Sequence, residues 1–304
     1  MIEQTINYRD YKISKLPIAD YPLLLGSSIF RPNQLYYKGA LPTSEATGIA
    51  MVGTRRPSSS AKKLCDQLVQ SLKGTQAVIV SGLAQGIDSY CHEAALDAGI
   101  PTIAVIAQGL NVPIPGDRAD LANRILRHGG AIISEYEADF PSFKGTFPAR
   151  NRIISGLSKS TVLIQSKLKG GALITANLCL KEGKPLLAVP GDFDSDVAAG
   201  PNSYLDQGKA KPIFLPESLR TLVGLTLTDA PSISIKGLER SGCKLSKEAR
   251  DVFYQFNGYK KTFSQIQEES NLLTGNILAI LTELEIAGLV ETHDNFQFYF
   301  NGSN

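Results

Sequence analysis

The sequence predicts an α/β fold built on a doubly wound, mostly parallel sheet, and three observations support this. From about Gly48, short apolar runs alternate with longer amphipathic stretches, as in βαβ units. The apolar runs lack polar alternation, which is typical of strands covered by helices on both faces. At 304 residues and 43% hydrophobic composition, the chain can bury a sizeable core. The expected architecture is therefore Rossmann-like.

The elements of this core follow in order along the chain. Six apolar runs are predicted as strands, at residues 49–53, 77–82, 101–107, 131–135, 160–165 and 185–191. Helices are predicted between them, including 61–73, 88–99 and 119–130. Ligands of such sheets bind at the carboxyl ends of the strands, so the loops that follow the strands are the expected functional positions.

Three further segments flank the predicted core of residues 46–215. Residues 1–45 contain aromatic pairs and no βα alternation, and we expect a short N-terminal cap. Residues 216–243 are rich in Thr, Ser, Gly and isolated Pro, which predicts a linker. Residues 244–304 show three helical patterns and a hairpin, which predicts a small winged-helix domain.

Composition excludes several classes of protein. The four cysteines, Cys65, Cys91, Cys179 and Cys243, form no CxxC pair, so neither a disulfide framework nor a metal site is expected. The N-terminus lacks an apolar leader, and no apolar run approaches the roughly 20 residues that span a bilayer. We therefore expect a cytoplasmic protein with no membrane contact. The net charge of +2 is too small to indicate a polyanion partner by itself.

The first predicted strand ends in a turn that suits phosphate binding. Gly53, Thr54, Arg55 and Arg56 precede a helix, whose N-terminus offers free backbone N–H groups and a partial positive charge. The alternative is an ordinary βα turn with solvated arginines. A dinucleotide site would need G-x-G-x-x-G here and an acid after the second strand, where Ser81 stands instead, so no cofactor is expected.

The turn after the second strand follows the same logic. Its candidate contacts are Ser81, Gly82, Gln85 and Gly86, because glycines bring the backbone close to a ligand. Asp88 is expected to cap the next helix rather than to catalyse a reaction.

A basic stretch runs from Lys144 to Lys169, with six Lys or Arg residues and no Asp or Glu. Such a track can neutralise several phosphates. The alternative is a solvated basic face. The candidate contacts are Lys144, Arg150, Asn151, Arg152, Lys167, Lys169 and Gly170. Phe140, Phe143 and Phe147 are candidates for base stacking or for core packing.

Catalytic residues are not indicated. His92, His128 and His293 have no carboxylate or nucleophile partner by motif, and the sequence contains no HExxH or GxSxG motif. Glu135 is the best lone acid, and a structural role is the more common one for such a residue. We expect no catalytic residues.

The predicted winged helix carries the opposite charge. Residues 264–300 contain no Lys or Arg but six acids, so this face should repel a DNA backbone. A protein contact or a regulatory role is the favoured interpretation.

Five motifs in fixed order, GTRRPS, SGLAQGID, FPARNRIISGLS, SKLKGGALITA and AVPG, resemble the DNA-processing protein A (DprA/Smf) family from Leu35 to about Pro212. The resemblance implies a core that binds single-stranded DNA in a positive pocket without catalysis. It also implies homodimers and loading of the RecA recombinase in natural transformation. By position, it assigns contacts to Gly53–Arg55, to Ser81–Gly86 and to Arg150, Arg152, Lys167 and Lys169.

The chain departs from the family pattern at several positions. Gln85 stands where the family usually has Arg, which removes a possible phosphate contact. Gln165 stands where an acid commonly ends the strand, and Gly170-Gly171-Ala172 replaces Ser-Gly-Ser. Lys169 replaces a frequent Arg and keeps the charge but not the planar fork.

Two other functions remain open. A nucleotide hydrolase of the lysine-decarboxylase-like (LOG) type uses PGGxGTxxE on a similar fold, but here Asn177 stands roughly where the catalytic Glu would be. A transcription factor led by the winged helix is the other alternative, and the acidic surface argues against it.

Overall fold

The computed structural model describes residues 7–43, 45–226, 245–256, 260–270, 272–286, 289–293 and 297–300. The chain divides into two compact units, Met1–Leu227 and Thr228–Asn304.

A mixed sheet forms the centre of the first unit. Among the described residues it has nine strands in the order β1-β2-β6-β5-β4-β3-β7-β8-β9. The strands are β1 Ser14–Leu16, β2 Leu35–Gly39, β3 Thr47–Val52, β4 Ala77–Ser81, β5 Thr102–Val105, β6 Ala131–Ser134, β7 Ser160–Leu163, β8 Leu186–Ala188 and β9 Lys211–Pro212. Strands β3 to β9 are mutually parallel. The strand order reverses between β3 and β7, which marks the switch point where such sheets bind ligands.

Helices cover both faces of this sheet. They are α1 Leu23–Gly26, α2 Ala61–Gln70, α3 Ile87–Asp97, α4 Asp117–Arg127, α5 Thr146–Gly156, α6 Ala172–Lys181, α7 Ala199–Asp206 and α8 Ser218–Leu222. Successive strand residues point to opposite faces, so Ala50 packs in the core beneath α5 and α6. Ile49 and Met51 pack on the other face, with α2 and α3. The doubly wound architecture predicted from the sequence is thus confirmed.

All six predicted strands are present, and each ends one to three residues before the predicted end. The apolar runs continue past the last sheet hydrogen bond because the first residues of the connecting loops are also buried. Ile106 and Ala107, for example, lie after β5 and are buried, and Ile106 packs against α4.

The N-terminal segment differs from the expected cap because it extends the sheet. Strand β2 pairs antiparallel with β6, and β1 pairs antiparallel with β2. Lys38 in β2 is buried, and its Nζ donates to the carbonyls of Tyr8 and Arg9 at 3.2 and 3.1 Å. Burial lowers the pKa of this ammonium group. These strands were not predicted because short antiparallel strands outside βα units show no periodic hydrophobic pattern in the sequence.

The expected linker begins inside the first unit. Helix α8 lies within residues 216–243, and Leu219 and Val223 are buried in the core beside α2. Residues 227–244, which include most of the predicted linker, lie outside the described residues.

The second unit contains the three helices and the hairpin that the sequence predicts. They are α9 Lys247–Phe256, α10 Phe263–Ser270, α11 Thr274–Ile286, β11 Val290–His293 and β12 Gln297–Phe300. A short strand that was not predicted, β10 Lys260–Thr262, completes an antiparallel sheet in the order β10-β12-β11. Phe256, Ile266 and Leu284 are central to its core.

The thiols of Cys65, Cys91 and Cys179 are free and buried, and Cys243 lies outside the described residues. Within the described part of the chain, no helix has both the length and the apolar character needed to cross a membrane.

Candidate functional site

A cleft of about 520 Å³ opens at the switch point, beyond the carboxyl ends of β3 and β7. We call it the main cleft. Residues 52–56, 84, 88, 147–148, 150–151, 154, 167, 169–172 and 174–175 line it. Four of its cations are exposed: Arg55, Arg56, Lys167 and Lys169. The loops after β3 and β7, which are far apart in sequence, therefore present positive charge to one recess.

The main cleft contains nine of the predicted contact residues: Gly53, Thr54, Arg55, Arg56, Arg150, Asn151, Lys167, Lys169 and Gly170. Gly82 and Gln85 line a smaller neighbouring cleft, described below. The remaining four, Ser81, Gly86, Lys144 and Arg152, line neither cleft.

The turn after β3 is held in place by close packing and by Gln165. A Cβ at Gly53 would lie 2.5 Å from Cγ1 of Ile87, so glycine lets α3 approach the turn. The backbone N–H of Thr54 donates to the carbonyl of Gln165 at 2.7 Å. The Gln165 amide accepts from the Ser58 N–H at 3.0 Å and donates to the Ser58 hydroxyl at 2.8 Å. An acid at this position could only accept, so Gln165 binds this turn in a way that a carboxylate could not.

Arg55 and Lys167 present their charges to solvent. The Arg55 guanidinium lies 5.2 Å from the centroid of the Phe147 ring, which holds it over the cleft. The Lys167 ammonium pairs with Asp196 at 2.8 Å, and both side chains are more than 60% exposed. This ammonium group lowers the pKa of Asp196. Because exposed ion pairs are weak, a bound phosphate can compete for Lys167.

Arg150 behaves differently from these surface cations. It is only 5% exposed, and its Nη1 donates to the carbonyls of Gly82, at 2.6 Å, and Val105. Burial lowers the pKa of Arg150 to about 10, with Arg55 adding to the shift and Asp88 opposing it. The sequence assigned Arg150 to ligand contact, but in the structure its Nη1 is bonded to the carbonyls that follow and end β4 and β5. Arg150 therefore forms part of the wall of the main cleft.

Arg150 and Asp88, in the first turn of α3, together form a buried clamp on the turn at Gly82. Its Oδ2 accepts from the Gly82 N–H at 3.1 Å. Burial raises the pKa of Asp88, while the charge of Arg150 and the N–H groups of Ala84 and Gly82 oppose that rise. A Cβ at Gly82 would overlap both the guanidinium and the carboxylate, so the clamp depends on glycine here. Asp88 does not cap α3 as predicted, because the N-cap residue is Gly86 and Asp88 lies in the first turn, where its carboxylate holds the turn after β4.

Arg152 points away from the cleft, although it stands only two residues from Arg150. Two residues of a helix differ by about 200° in direction, so the side chains leave α5 on opposite sides. Arg152 pairs with Glu135 and donates to the Phe30 carbonyl at 2.9 Å. The predicted basic track is therefore divided by the helix, and both Arg152 and Glu135 serve structure.

The other predicted residues outside the clefts have local roles. The Ser81 hydroxyl is buried and donates to the Met51 carbonyl at 2.6 Å. Gly86 has φ +86°, and a Cβ there would press on the backbone of Thr54 and Arg55. Lys144 is exposed just before α5. Ser81 and Gly86 shape the loops that carry Arg55 without lining the cleft themselves.

A second cleft of about 170 Å³ adjoins the main one at the carboxyl ends of β4 and β5. We call it the second cleft. The two clefts share Arg55, Ala84, Phe147 and Arg150. The second cleft also contains Arg118, from the first turn of α4, which the sequence analysis did not single out. A lone arginine in an amphipathic helix carries no signal beyond its position shortly after a strand.

The histidine in the middle of α3 is a core residue. His92 is fully buried, and its Nδ1 lies 2.7 Å from the Thr102 hydroxyl. That hydroxyl donates to the Ile79 carbonyl, so Nδ1 is the protonated nitrogen of a neutral ring. Burial, helped by the charge of Arg150, lowers the pKa of His92 to about 3.

A doubly wound sheet with exposed cations and glycine turns around its switch-point cleft defines a class of proteins that bind phosphate-bearing ligands. Within this class, the chain belongs to the DNA recombination-mediator protein A family, whose model matches residues 15–223. The family resemblance drawn from the motifs is thereby confirmed. This family consists of DNA-processing proteins, not known enzymes.

Similar proteins are found both by sequence and by structure. The chain is 38% identical to the DNA processing protein DprA of Bacillus subtilis over 215 residues, which cover 70% of this chain and 72% of that protein. It is 32% identical to protein Smf of Escherichia coli over 272 residues, covering 89% and 72% of the two chains. The crystal structure of DprA from Streptococcus pneumoniae matches with a TM-score of 0.64 at 35% identity, covering 69% and 74%.

A second solved structure matches equally well in shape. It is DNA processing protein A from Helicobacter pylori, solved to show a unique mode of binding single-stranded DNA. The TM-score is 0.64 and the identity 31%, and the match covers 72% of this chain and 98% of that chain.

Proposed function

We propose that this protein is a cytoplasmic recombination mediator that binds single-stranded DNA, protects incoming DNA in natural transformation and loads the RecA recombinase onto it. The observation that carries the proposal is the convergence of Arg55, Arg56, Lys167 and Lys169 on the main cleft of a chain in this family. The DNA is bound without chemical change.

The shape and charge of the main cleft favour an unpaired strand. Its volume of about 520 Å³ lies within the roughly 300–1,000 Å³ typical of small-ligand pockets. Such a recess admits a nucleotide or two but not a base-paired rod. Exposed cations neutralise phosphates, and the Phe147 ring beside Arg55 offers an apolar surface for a base. The relative from Helicobacter pylori, which binds single-stranded DNA, supports this assignment.

The hydrolase alternative has little support at the position that should carry it. Asn177 lines neither cleft, and its Oδ1 accepts from the Tyr204 hydroxyl at 2.8 Å. An amide also lacks the charge of the Glu that the LOG-type motif requires. Release of free base from a nucleoside monophosphate by the purified protein would revive this alternative.

A second copy of the chain is the partner we propose for the β9 edge of the sheet. Phe193, Phe214 and Leu215 follow the neighbouring strands β8 and β9 and are 97, 76 and 64% exposed. Large apolar side chains exposed after two neighbouring edge strands suit a contact with another protein surface. The Phe193→Ser, Phe214→Ser variant should be monomeric by light scattering, whereas Ile29→Ser, which alters an equally exposed apolar residue elsewhere, should remain a dimer. Equal masses for the two variants would contradict this interface.

The proposed function is tested by binding of labelled oligothymidylate and duplex DNA across a salt series. We expect tight binding of the single strand, weak binding of the duplex and a steep loss of affinity as salt rises. Arg55→Ala with Lys167→Ala should weaken single-strand binding about 100-fold, since two phosphate contacts are lost.

The matched control is Lys73→Ala with Lys181→Ala, which removes the same charge. Both lysines are exposed; Lys73 follows α2 and Lys181 ends α6. They therefore lie at the amino ends of the strands, opposite the end that carries the main cleft. This control should bind like the unaltered protein. Equal binding by the Arg55, Lys167 variant and the control would refute the site.

A further inference from the structure

The second cleft is a small basic recess that no sequence motif predicts. Arg118 enters it from the first turn of α4, and Arg55 and Arg150 border it from the side of the main cleft. The Nη1 of Arg118 lies 3.5 Å from the Leu83 carbonyl, a long contact that leaves its other donors available. None of the described residues that line this cleft is acidic, and among the described side chains no carboxylate pairs with Arg118. Arg118 and Arg55 therefore bring positive charge to a recess whose described lining contains no acid.

The turn that faces Arg118 has a strained backbone. Leu83 has φ +52°, and it is the only non-glycine residue with positive φ in the described part of the chain. A left-handed conformation is unfavourable for such a residue, because its Cβ comes too close to the following carbonyl oxygen. Its side chain is 2% exposed and packs with Ile106 and Ile114, which keeps the turn in this shape. Strain of this kind is typical of loops whose exact path serves binding.

We propose that the second cleft is a phosphate subsite for the same bound strand, in which Arg118 supplies the cation that Gln85 does not. Gln85 and Arg118 border the same recess. A neutral amide at position 85 leaves the turn after β4 without a charge, and Arg118 provides one from α4. The inference rests on the proposed function, because it extends the path of the single strand beyond the main cleft.

The size of the recess identifies the group it takes. At about 170 Å³ it is well below the roughly 300 Å³ at which small-molecule pockets begin, so it suits a phosphate rather than a whole nucleotide. The two clefts adjoin at Arg55 and Phe147, so one chain of phosphates can pass from one to the other.

The positions of the two clefts set the path of the bound DNA strand across the sheet. The main cleft lies at β3 and β7 and the second cleft at β4 and β5, about two strand spacings or roughly 10 Å apart along the sheet edge. A bound strand thus crosses the carboxyl ends of the β-strands, and only an oligomer of several nucleotides reaches Arg118.

The experiment measures binding of fluorescent oligothymidylates to Arg118→Gln in the full chain across a salt series. With an oligomer of about 20 nucleotides, affinity should fall about fivefold and the salt slope should decrease by about 0.7, the value for one lost phosphate contact on a single strand. With a dinucleotide, which the main cleft alone accommodates, affinity should be unchanged. Arg127→Gln, an exposed arginine on the same helix, is the control and should match the unaltered protein at both lengths.

A charge swap separates phosphate binding from a structural role. Arg118→Gln with Gln85→Arg returns a cation to the same recess, so it should restore both affinity and salt slope for the long oligomer. The subsite is refuted if Arg118→Gln binds the long oligomer like Arg127→Gln. It is equally refuted if the double variant still binds the long oligomer weakly. It is also refuted if Arg118→Gln lowers the affinity without changing the salt slope. Failure of the unaltered protein to bind any single strand is a distinct result, and it would overturn the proposed function itself.

Discussion

At the carboxyl ends of β3 and β7, four exposed cations converge on one cleft, whereas helix α11 of the second unit carries no Lys or Arg. The exposed positions of that helix include Leu278 and Glu285, whereas Glu283 of the same helix and Glu269 of α10 have partners within the unit. Glu283 accepts from the backbone N–H and the hydroxyl of Ser246 at 2.5 and 2.7 Å, and Glu269 pairs with Lys261 at 2.7 Å.

This contrast shows why a net charge of +2 says little about the chain. The positive and negative residues are nearly equal in number, but the fold gathers cations at a sheet edge and leaves the second unit acidic. A phosphate backbone is attracted to the first surface and repelled by the second. We propose that the second unit contacts a protein instead of DNA.

The largest expected effect distinguishes the wall of the cleft from its surface. Arg150→Ala should lower the free energy of unfolding by about 3–5 kcal/mol, because it leaves the buried Asp88 carboxylate without its cation. Arg55→Ala, which removes an exposed cation from the same cleft, should lower it by less than about 1 kcal/mol. Urea unfolding of both variants measures the difference. Similar losses would show that the two arginines are equivalent, contrary to the structure.

A second prediction uses the buried histidine to locate acid sensitivity in the first unit. The pKa of His92 is about 3 in the folded chain and near 6.5 when unfolded, so folding favours the neutral ring. Its contribution is fully present well above pH 6.5 and is lost as the pH falls toward 3. Between pH 8 and pH 5 this loss should be about 2 kcal/mol.

Denaturant unfolding at both pH values, compared between the unaltered protein and His92→Gln, measures this contribution. The variant starts from a lower stability but should lose about 2 kcal/mol less on acidification. An identical pH dependence in the two proteins would show that His92 is not the titrating group.

Next in size is the effect of one surface cation on DNA binding. Arg55→Ala should weaken binding of a long oligothymidylate about tenfold at low salt, because one phosphate contact and the positioned Phe147 surface are lost together. Fluorescence anisotropy is the measurement, and Lys73→Ala is the control of equal charge. A change below about twofold would place the DNA elsewhere on the molecule.

The smallest effect is expected in the acidic unit. Glu285→Gln in the full chain should change single-strand and duplex affinity by less than about twofold, since we propose that α11 makes no contact with DNA. If α11 were a DNA reader, removing an acid from its exposed face would strengthen duplex binding and steepen its salt dependence. That outcome would remove the contrast between the two units.

Much of the site was predictable from the sequence. The strand pattern located the loops at the carboxyl edge, and the motifs placed Gly53, Arg55, Lys167 and Lys169 at one site, where the structure brings them together. The antiparallel strands β1 and β2 were not predictable, because three to five residues at a sheet edge show no helical or alternating period.

The sequence by itself determined the fold class, the family and the cations available to the strand-end loops, because these depend on local periodicity and on motif order. Only the tertiary structure decided what each cation does. Packing against Gly82 and Val105 buried Arg150, the helical turn of α5 directed Arg152 to Glu135, and the approach of α4 to the turn at Leu83 brought Arg118 to the cleft. Charge is a property of the residue, but exposure and partners are set by elements distant in the chain.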